Sequence, residues 1–288
     1  MQSPQPVDIS LNDLTIRGIR SSHGNTNLPR VLCLHGWLDN ANSFQPLLPL
    51  LPQLDCIAID LPGHGLSGHF QQAVPYTIAN SAHYVLQVAE ALGWDNFHLL
   101  GHSLGGCIAP VCALAAPEQI ISVTTIDALG PISEPDSAIA ERLRRFHQEM
   151  LMRNRTASRL FTNKQQAIDS RLKAAKMDTP SAALIVERQL QKVSGGWQWR
   201  FDPKLRAASP SYFTESQVQS ILRAVSCPTL CVAARDGHLA KFTHFHKRTK
   251  CLEKLQVVEL DGRHHLHMDN PLPVAHAITG FFDSLPAD

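Results

Sequence analysis

One stretch limits what this chain can fold into more than any other. Residues 96–106 read N-F-H-L-L-G-H-S-L-G-G. A short apolar run, Phe97-His98-Leu99-Leu100, turns through Gly101-His102-Ser103-Leu104-Gly105 into Ile108, Val111 and Leu114 at helical spacing. The pattern predicts a strand, a sharp turn and a helix with serine at the apex, the G-x-S-x-G elbow. The glycines have a steric purpose. A serine at such an apex holds a sparsely populated backbone conformation, and a Cβ two residues to either side would clash. A bare G-x-S-x-G arises by chance, so the strand-to-helix context gives it its weight. A serine nucleophile needs a base, an acid that orients the base, and donors for an oxyanion.

The rest of the chain alternates in the same way. Val7 to Arg20 switches between apolar and polar residues around Asn12-Asp13, which predicts an antiparallel hairpin. Arg30–His35 and Cys56–Asp60 are continuous apolar runs, as in strands covered on both faces. A helix over Ser43–Leu51 is expected between them, and an amphipathic one over Ile78–Leu92. Ser122–Asp127 reads as the strand after the elbow helix. From Pro131 the alternation stops: residues 131–213 carry helical patterns (Ala138–Leu151, Lys164–Lys173, Ala182–Gln191) and no convincing buried strand. A block of that length is not a loop, so a helical cap inserted into a core of residues 1–130 and 214–288 is expected. Strands at Pro228–Ala233 and Leu255–Leu260 follow, with helices around Lys241–Thr249 and over Pro273–Leu285.

Composition excludes several classes. Hydrophobic residues make up 44% of the chain and charged ones 18%, the profile of an ordinary globular domain. Twenty-six basic and 25 acidic residues leave a net charge of +1, without the footprint of a nucleic-acid or anionic-membrane partner. The basic run Arg142–Arg145 lies among Ile139, Leu143 and Phe146 and reads as a solvated helix face. No apolar stretch reaches the ~20 residues of a bilayer span. Met1–Pro6 lacks a basic start and an apolar h-region, so no secretory leader is expected. Seven cysteines, several inside apolar runs, fit buried free thiols in a reducing cytoplasm better than disulfides.

The base should follow the last strand. There Leu260-Asp261-Gly262-Arg263 runs into His264-His265-Leu266-His267. His264 is the first residue past the turn and is the expected base, with His265 and His267 in supporting or loop positions. No carboxylate or cysteine is spaced to complete a metal site with them, so no metal is expected. The oxyanion donors should follow the first buried strand, where His35-Gly36-Trp37 stands. The Trp37 N–H and the Leu104 N–H, next after the serine, are the candidate pair.

With these residues in place, the chain resembles the α/β-hydrolase superfamily. The resemblance rests on H-G-W-L-D-N (His35–Asn40), D-L-P-G-H-G-L-S (Asp60–Ser67), G-H-S-L-G-G (Gly101–Gly106) and the late His264. H-G-W-L-D-N-A-x-S-F, V-P-Y (Val74–Tyr76) and H-x-x-H-M (His264–Met268) make it most similar to the serine hydrolase-like proteins. The resemblance implies a mostly parallel sheet flanked by helices, a Ser-acid-His triad, no cofactor, and hydrolysis of an ester or related acyl bond. In that superfamily the acid usually follows the strand Pro228–Ala233, but the matching position here is Gly237, with Asp236 one residue early. Some members carry it instead after the strand that follows the elbow helix, which points to Asp127. Asp127 is preferred and Asp236 kept as the alternative. Asp60 is read as structural.

The resemblance leaves the substrate open, because the cap sets it. Trp37, His102 and Trp197 are the expected substrate-binding residues, Trp197 from the G-W-x-W-R run at Gly196–Arg200. The expected protein is a cytoplasmic monomer or homodimer acting on a small-molecule acyl ester. Acyl transfer and carbon–carbon hydrolysis are the enzymatic alternatives, and a catalytically silent ligand-binding homologue is the alternative of another class.

Overall fold

The computed structural model describes residues 4–21, 27–71, 74–153 and 159–286. Met1–Ser3, part of the segment read for a leader, lie outside them. The strands are β1 (Gln5–Ser10), β2 (Thr15–Arg20), β3 (Arg30–Leu34), β4 (Asp55–Ile59), β5 (Phe97–His102), β6 (Ile120–Ile126), β7 (Leu160–Phe161), β8 (Leu190–Val193), β9 (Gly196–Trp199), β10 (Thr229–Asp236) and β11 (Leu255–Arg263). The α-helices are α1 (Ile78–Ala91), α2 (Leu104–Ala115), α3 (Ile139–Arg153), α4 (Lys164–Ala174), α5 (Thr179–Gln189), α6 (Glu215–Arg223), α7 (Phe245–Thr249), α8 (Leu266–Asp269) and α9 (Pro271–Asp283).

Eight strands form one sheet in the order β1-β2-β4-β3-β5-β6-β10-β11. The hairpin β1–β2 and the β2–β4 pairing are antiparallel, and every pairing from β4 to β11 is parallel. The central strands β3 to β6 are buried along nearly their whole length because both faces are covered, whereas the edge strand β11 carries Gln256, Glu259 and Asp261 and is only partly buried. Leu32 and Leu34 of β3 join Ile57 and Ile59 of β4 on one face, against Val85 and Val88 of α1 and Ile108 of α2. The intervening Val31, Cys33, Cys56 and Ala58 pack on the other face, with Phe44, Leu47 and the α9 residues Val274, Ile278 and Phe281. The mostly parallel, helix-flanked sheet is the fold expected from the alternation.

The structure differs from the sequence reading in several places: α6 and α8 are not among the expected helices, and the helix expected around Lys241–Thr249 is a 3-10 turn at Leu239–Lys241 followed by the short α7. The helix expected over Ser43–Leu51 is two 3-10 turns, Ala41–Phe44 and Leu48–Leu50, because Pro46 and Pro49 cannot supply the amides that a continuing helix needs. Residues 131–213 are not purely helical. They hold α3, α4 and α5 and also a three-stranded antiparallel sheet, β7-β9-β8. Gly195 and Gly196, both at positive φ, turn β8 into β9. The ends of the segment meet at a bridge between Ser133 and Phe213, so it leaves and rejoins the core at one point.

Candidate active site

The strand order reverses between β3 and β5, and the loops that leave their carboxyl ends part there to form a crevice. Ser103 stands at its floor, between β5 and α2, with φ 51 and ψ −110. Its N–H donates to the Ile126 carbonyl at 3.1 Å. The elbow is as tight as the glycines suggest. A Cβ on Gly105 would overlap the Leu34 carbonyl, and one on Gly101 the Gly105 carbonyl. Only glycine lets α2 rise against both strands.

β11 ends at Arg263, so the next residue, His264, is delivered beside the elbow. Its Nε2 lies 2.9 Å from Ser103 Oγ, and its Nδ1 lies 2.6 Å from Asp127 Oδ2. An ionised carboxylate can only accept, so Nδ1 carries the hydrogen and Nε2 is left to accept from the serine. Asp127 is buried just past β6, at φ 49. Its carboxylate also accepts from the backbone N–H groups of His238 (2.7 Å), Ala234 (3.3 Å) and Leu239 (3.3 Å).

The geometry separates the two candidate acids. Asp127 crosses over the loop after β10, and a Cβ on Gly237 would overlap its carboxylate. The glycine at the superfamily's usual acid position is the space that this carboxylate fills. Asp236 is exposed at the end of β10, opposite Arg263 in the strand register. Among the described residues, Asp127 rather than Asp236 bonds to the His264 ring.

A cavity of about 690 Å³ opens above Ser103. Trp37 and Leu104 line it, as do Leu61, Ile78, Leu129, Leu239 and Phe242 from the core and Ile132, Leu205, Tyr212 and Phe213 from residues 131–213. Trp37 is 52% exposed, and its indole N–H donates to Leu205 O at 2.9 Å. Leu104 is the first residue of α2, where no carbonyl within the helix can pair its amide. The one buried guanidinium in the wall, Arg248, is committed to the Leu129 and Pro131 carbonyls (2.8 Å each) and to Glu215 (2.7 Å). His238 is a wall residue that the sequence reading missed. Its ring stacks on His264 with centroids 3.6 Å apart. Burial lowers its pKa, and the neighbouring His264 acts in the same sense.

Two expected substrate-binding residues lie elsewhere. His102 is fully buried beneath the site; its Nε2 donates to the His264 carbonyl at 2.9 Å, and its ring packs against His267, with centroids 4.1 Å apart. Trp197 packs with Phe161 in the small core around β7–β9 and takes Lys164 over its ring, 5.0 Å from the centroid. Neither lines the cavity.

The carboxylate that the histidine cluster lacked in sequence comes from far away: Asp39 Oδ2 is 3.3 Å from His265 Nε2 and 3.7 Å from His102 Nδ1. Asp39, His102 and His265 are close enough together to hold a metal ion. The donor set does not fit one, however, because Arg171 pairs with Asp39 and its guanidinium stands 3.4 Å from His265 Nε2. The cation position is already filled by protein.

Residues 29–271 match the family model of the α/β-hydrolase fold, and the chain belongs to that family. Within it, the chain is similar to proteins named serine hydrolase-like. It is 32% identical to one from Danio rerio over 280 residues, 93% of this chain and 84% of the relative. It is 31% identical to another from Mus musculus over 282 residues, 91% of each. A crystal structure of a hypothetical protein from Pseudomonas aeruginosa PAO1 superposes with a TM-score of 0.91 at 32% identity, covering 98% of this chain and 100% of the other. Among the described residues no helix is long and apolar enough to cross a membrane.

Proposed function

We propose that this protein is a serine hydrolase that cleaves a carboxylic ester through an acyl-enzyme. The observation that carries the reading is the unbroken line Ser103 Oγ–His264–Asp127 on the floor of a largely apolar cavity. Ser103 attacks the ester carbonyl while His264 Nε2 takes its proton, and the tetrahedral oxyanion forms between the Trp37 and Leu104 amides. Collapse expels the alcohol, which receives the proton from His264. Water, activated by the same nitrogen, then attacks the acyl-serine and releases the acid. Asp127 stays ionised throughout, fixing the tautomer and stabilising the imidazolium. Residues 131–213 act as a cap whose Ile132, Leu205 and Phe213 form part of the acyl pocket. The Arg248 charge is fully paired, which favours an uncharged acyl group. Buried, unpaired thiols such as Cys33 and Cys231 support a cytoplasmic setting.

A fluorophosphonate probe tests the reading. The expected result is rapid covalent labelling of wild-type protein at Ser103 and none of Ser103→Ala. A folded wild-type protein that stays unlabelled would overturn it.

A further inference from the structure

The reaction above does not use the buried carboxylate of Asp39. This residue closes the turn that follows β3: its N–H donates to Gly36 O at 3.0 Å, with Leu38 between them at φ 58. The turn presents Trp37. On the far side the carboxylate bonds to His265, next after His264, at 3.3 Å, and it stands 3.7 Å from Nδ1 of His102, the residue before Ser103, beyond hydrogen-bond distance. One residue with a 1%-exposed carboxylate therefore closes the turn with the candidate oxyanion donor through its N–H, bonds the residue after the base through its carboxylate, and packs beside the residue before the serine.

Its charge depends on residues 131–213. Burial alone would push the carboxyl up, but Arg171 of α4, with His265, outweighs burial and holds it well below the usual carboxylate range. Without that guanidinium the carboxylate would be buried and uncompensated. Other ties join the same turn to the same segment: Asn40 Nδ2 donates to Ile185 O at 2.8 Å, and Asn42 Nδ2 donates to Leu184 O at 3.0 Å. Asn40 Nδ2 also donates to Gln189 Oε1 at 3.1 Å, so these ties all reach α5. The Asp39–Arg171 pair is different, because it continues inward to the histidines packed under His264.

We propose that Arg171 is a positioning residue: through Asp39, helix α4 holds the Trp37 turn, Ser103 and His264 in register, so that the reactive line is complete only when residues 131–213 are seated. The proposal rests on the reading of Ser103 and His264 as the reacting pair. It deepens that reading by giving a core-covering segment a direct hold on the chemistry.

The test compares full-length wild type, Arg171→Met and Arg171→Lys. For each, fluorophosphonate inactivation is followed to separate its maximal rate from its half-saturating concentration. Proton NMR follows the low-field His264 Nδ1–H resonance. For Arg171→Met we expect a maximal rate about 10- to 100-fold lower, with half-saturation changed less than about twofold, and a broadened resonance. Arg171→Lys should restore most of both. A raised half-saturation with an unchanged maximal rate would overturn the proposal, and so would a lower melting temperature with the rate and resonance intact. If Arg171→Met does not fold, Arg171→Gln, which keeps a donor without the charge, carries the same comparison. If wild-type Ser103 resists the probe, the proposed reaction falls by itself, and the His264 resonance alone then decides the positioning.

Discussion

Asp127 and Asp236 stand at the ends of neighbouring strands, and what each carboxylate touches distinguishes them. Asp127 is buried, bonded to His264 and to three amides, and Asp236 is exposed. With a p-nitrophenyl ester, Asp127→Asn should lower kcat by about 10³- to 10⁴-fold, because an amide favours the wrong imidazole tautomer. Asp236→Asn should stay within about twofold, as expected of an exposed side chain. Equal losses from both would overturn the assignment. The sequence could show that each carboxylate ends a strand, but not which one reaches His264, since that contact joins residues 137 positions apart. Arg171 and Asp39, 132 positions apart, were hidden for the same reason. His238 left one trace, its place directly after Gly237 in the loop past β10.

At the scale of elements, legibility followed length and punctuation. The buried strands and α1, α2 and α9 show in the apolar pattern because each is several residues long and packs against the sheet. β7–β9, at two to four residues, are too short to show a period of two, and only the paired Gly195-Gly196 hinted at a turn. The spacing of Leu47, Leu48, Leu50 and Leu51 imitated a helix, but its prolines prevented one. The elbow was readable from five residues because its geometry leaves almost no choice of side chain. Gly105→Ala drives a methyl group into the Leu34 carbonyl, two rigid backbones with nowhere to move. We expect a loss of roughly 3 kcal/mol or more, seen as a shifted urea midpoint or a failure to accumulate folded protein. Wild-type stability in that variant would mean that the elbow has room for a methyl group beside the Leu34 carbonyl.

Across the whole molecule, buried neutral histidines set the acid limit of stability. His35 accepts from Leu61 N–H at 2.9 Å through Nε2, and its Nδ1 faces Gly36 O at 2.7 Å, so it is held neutral by its own bonds. Burial lowers its pKa from 6.5 to about 4, and that of His64 from 6.5 to about 3. His102 and His267, also buried, shift the same way. As pH falls below 6.5 the unfolded chain takes up protons that the folded one refuses, so stability drops until the folded-state values are reached. The melting temperature should be level above neutrality and fall steadily toward pH 4, with His35 and His64 each costing on the order of 1–3 kcal/mol. A flat profile across that range would contradict it. The backbone of Ser103 works in the opposite direction. Held at φ 51 and ψ −110, it stores strain of about 1–3 kcal/mol that a residue without a Cβ would not feel. Ser103→Gly should therefore melt roughly 2–4 °C higher than wild type, a net gain of about 1 kcal/mol, while losing all reactivity toward the probe. Selection for heat tolerance alone would push this chain toward silence, and retention of serine at the apex under such selection would itself report that the hydroxyl is in use.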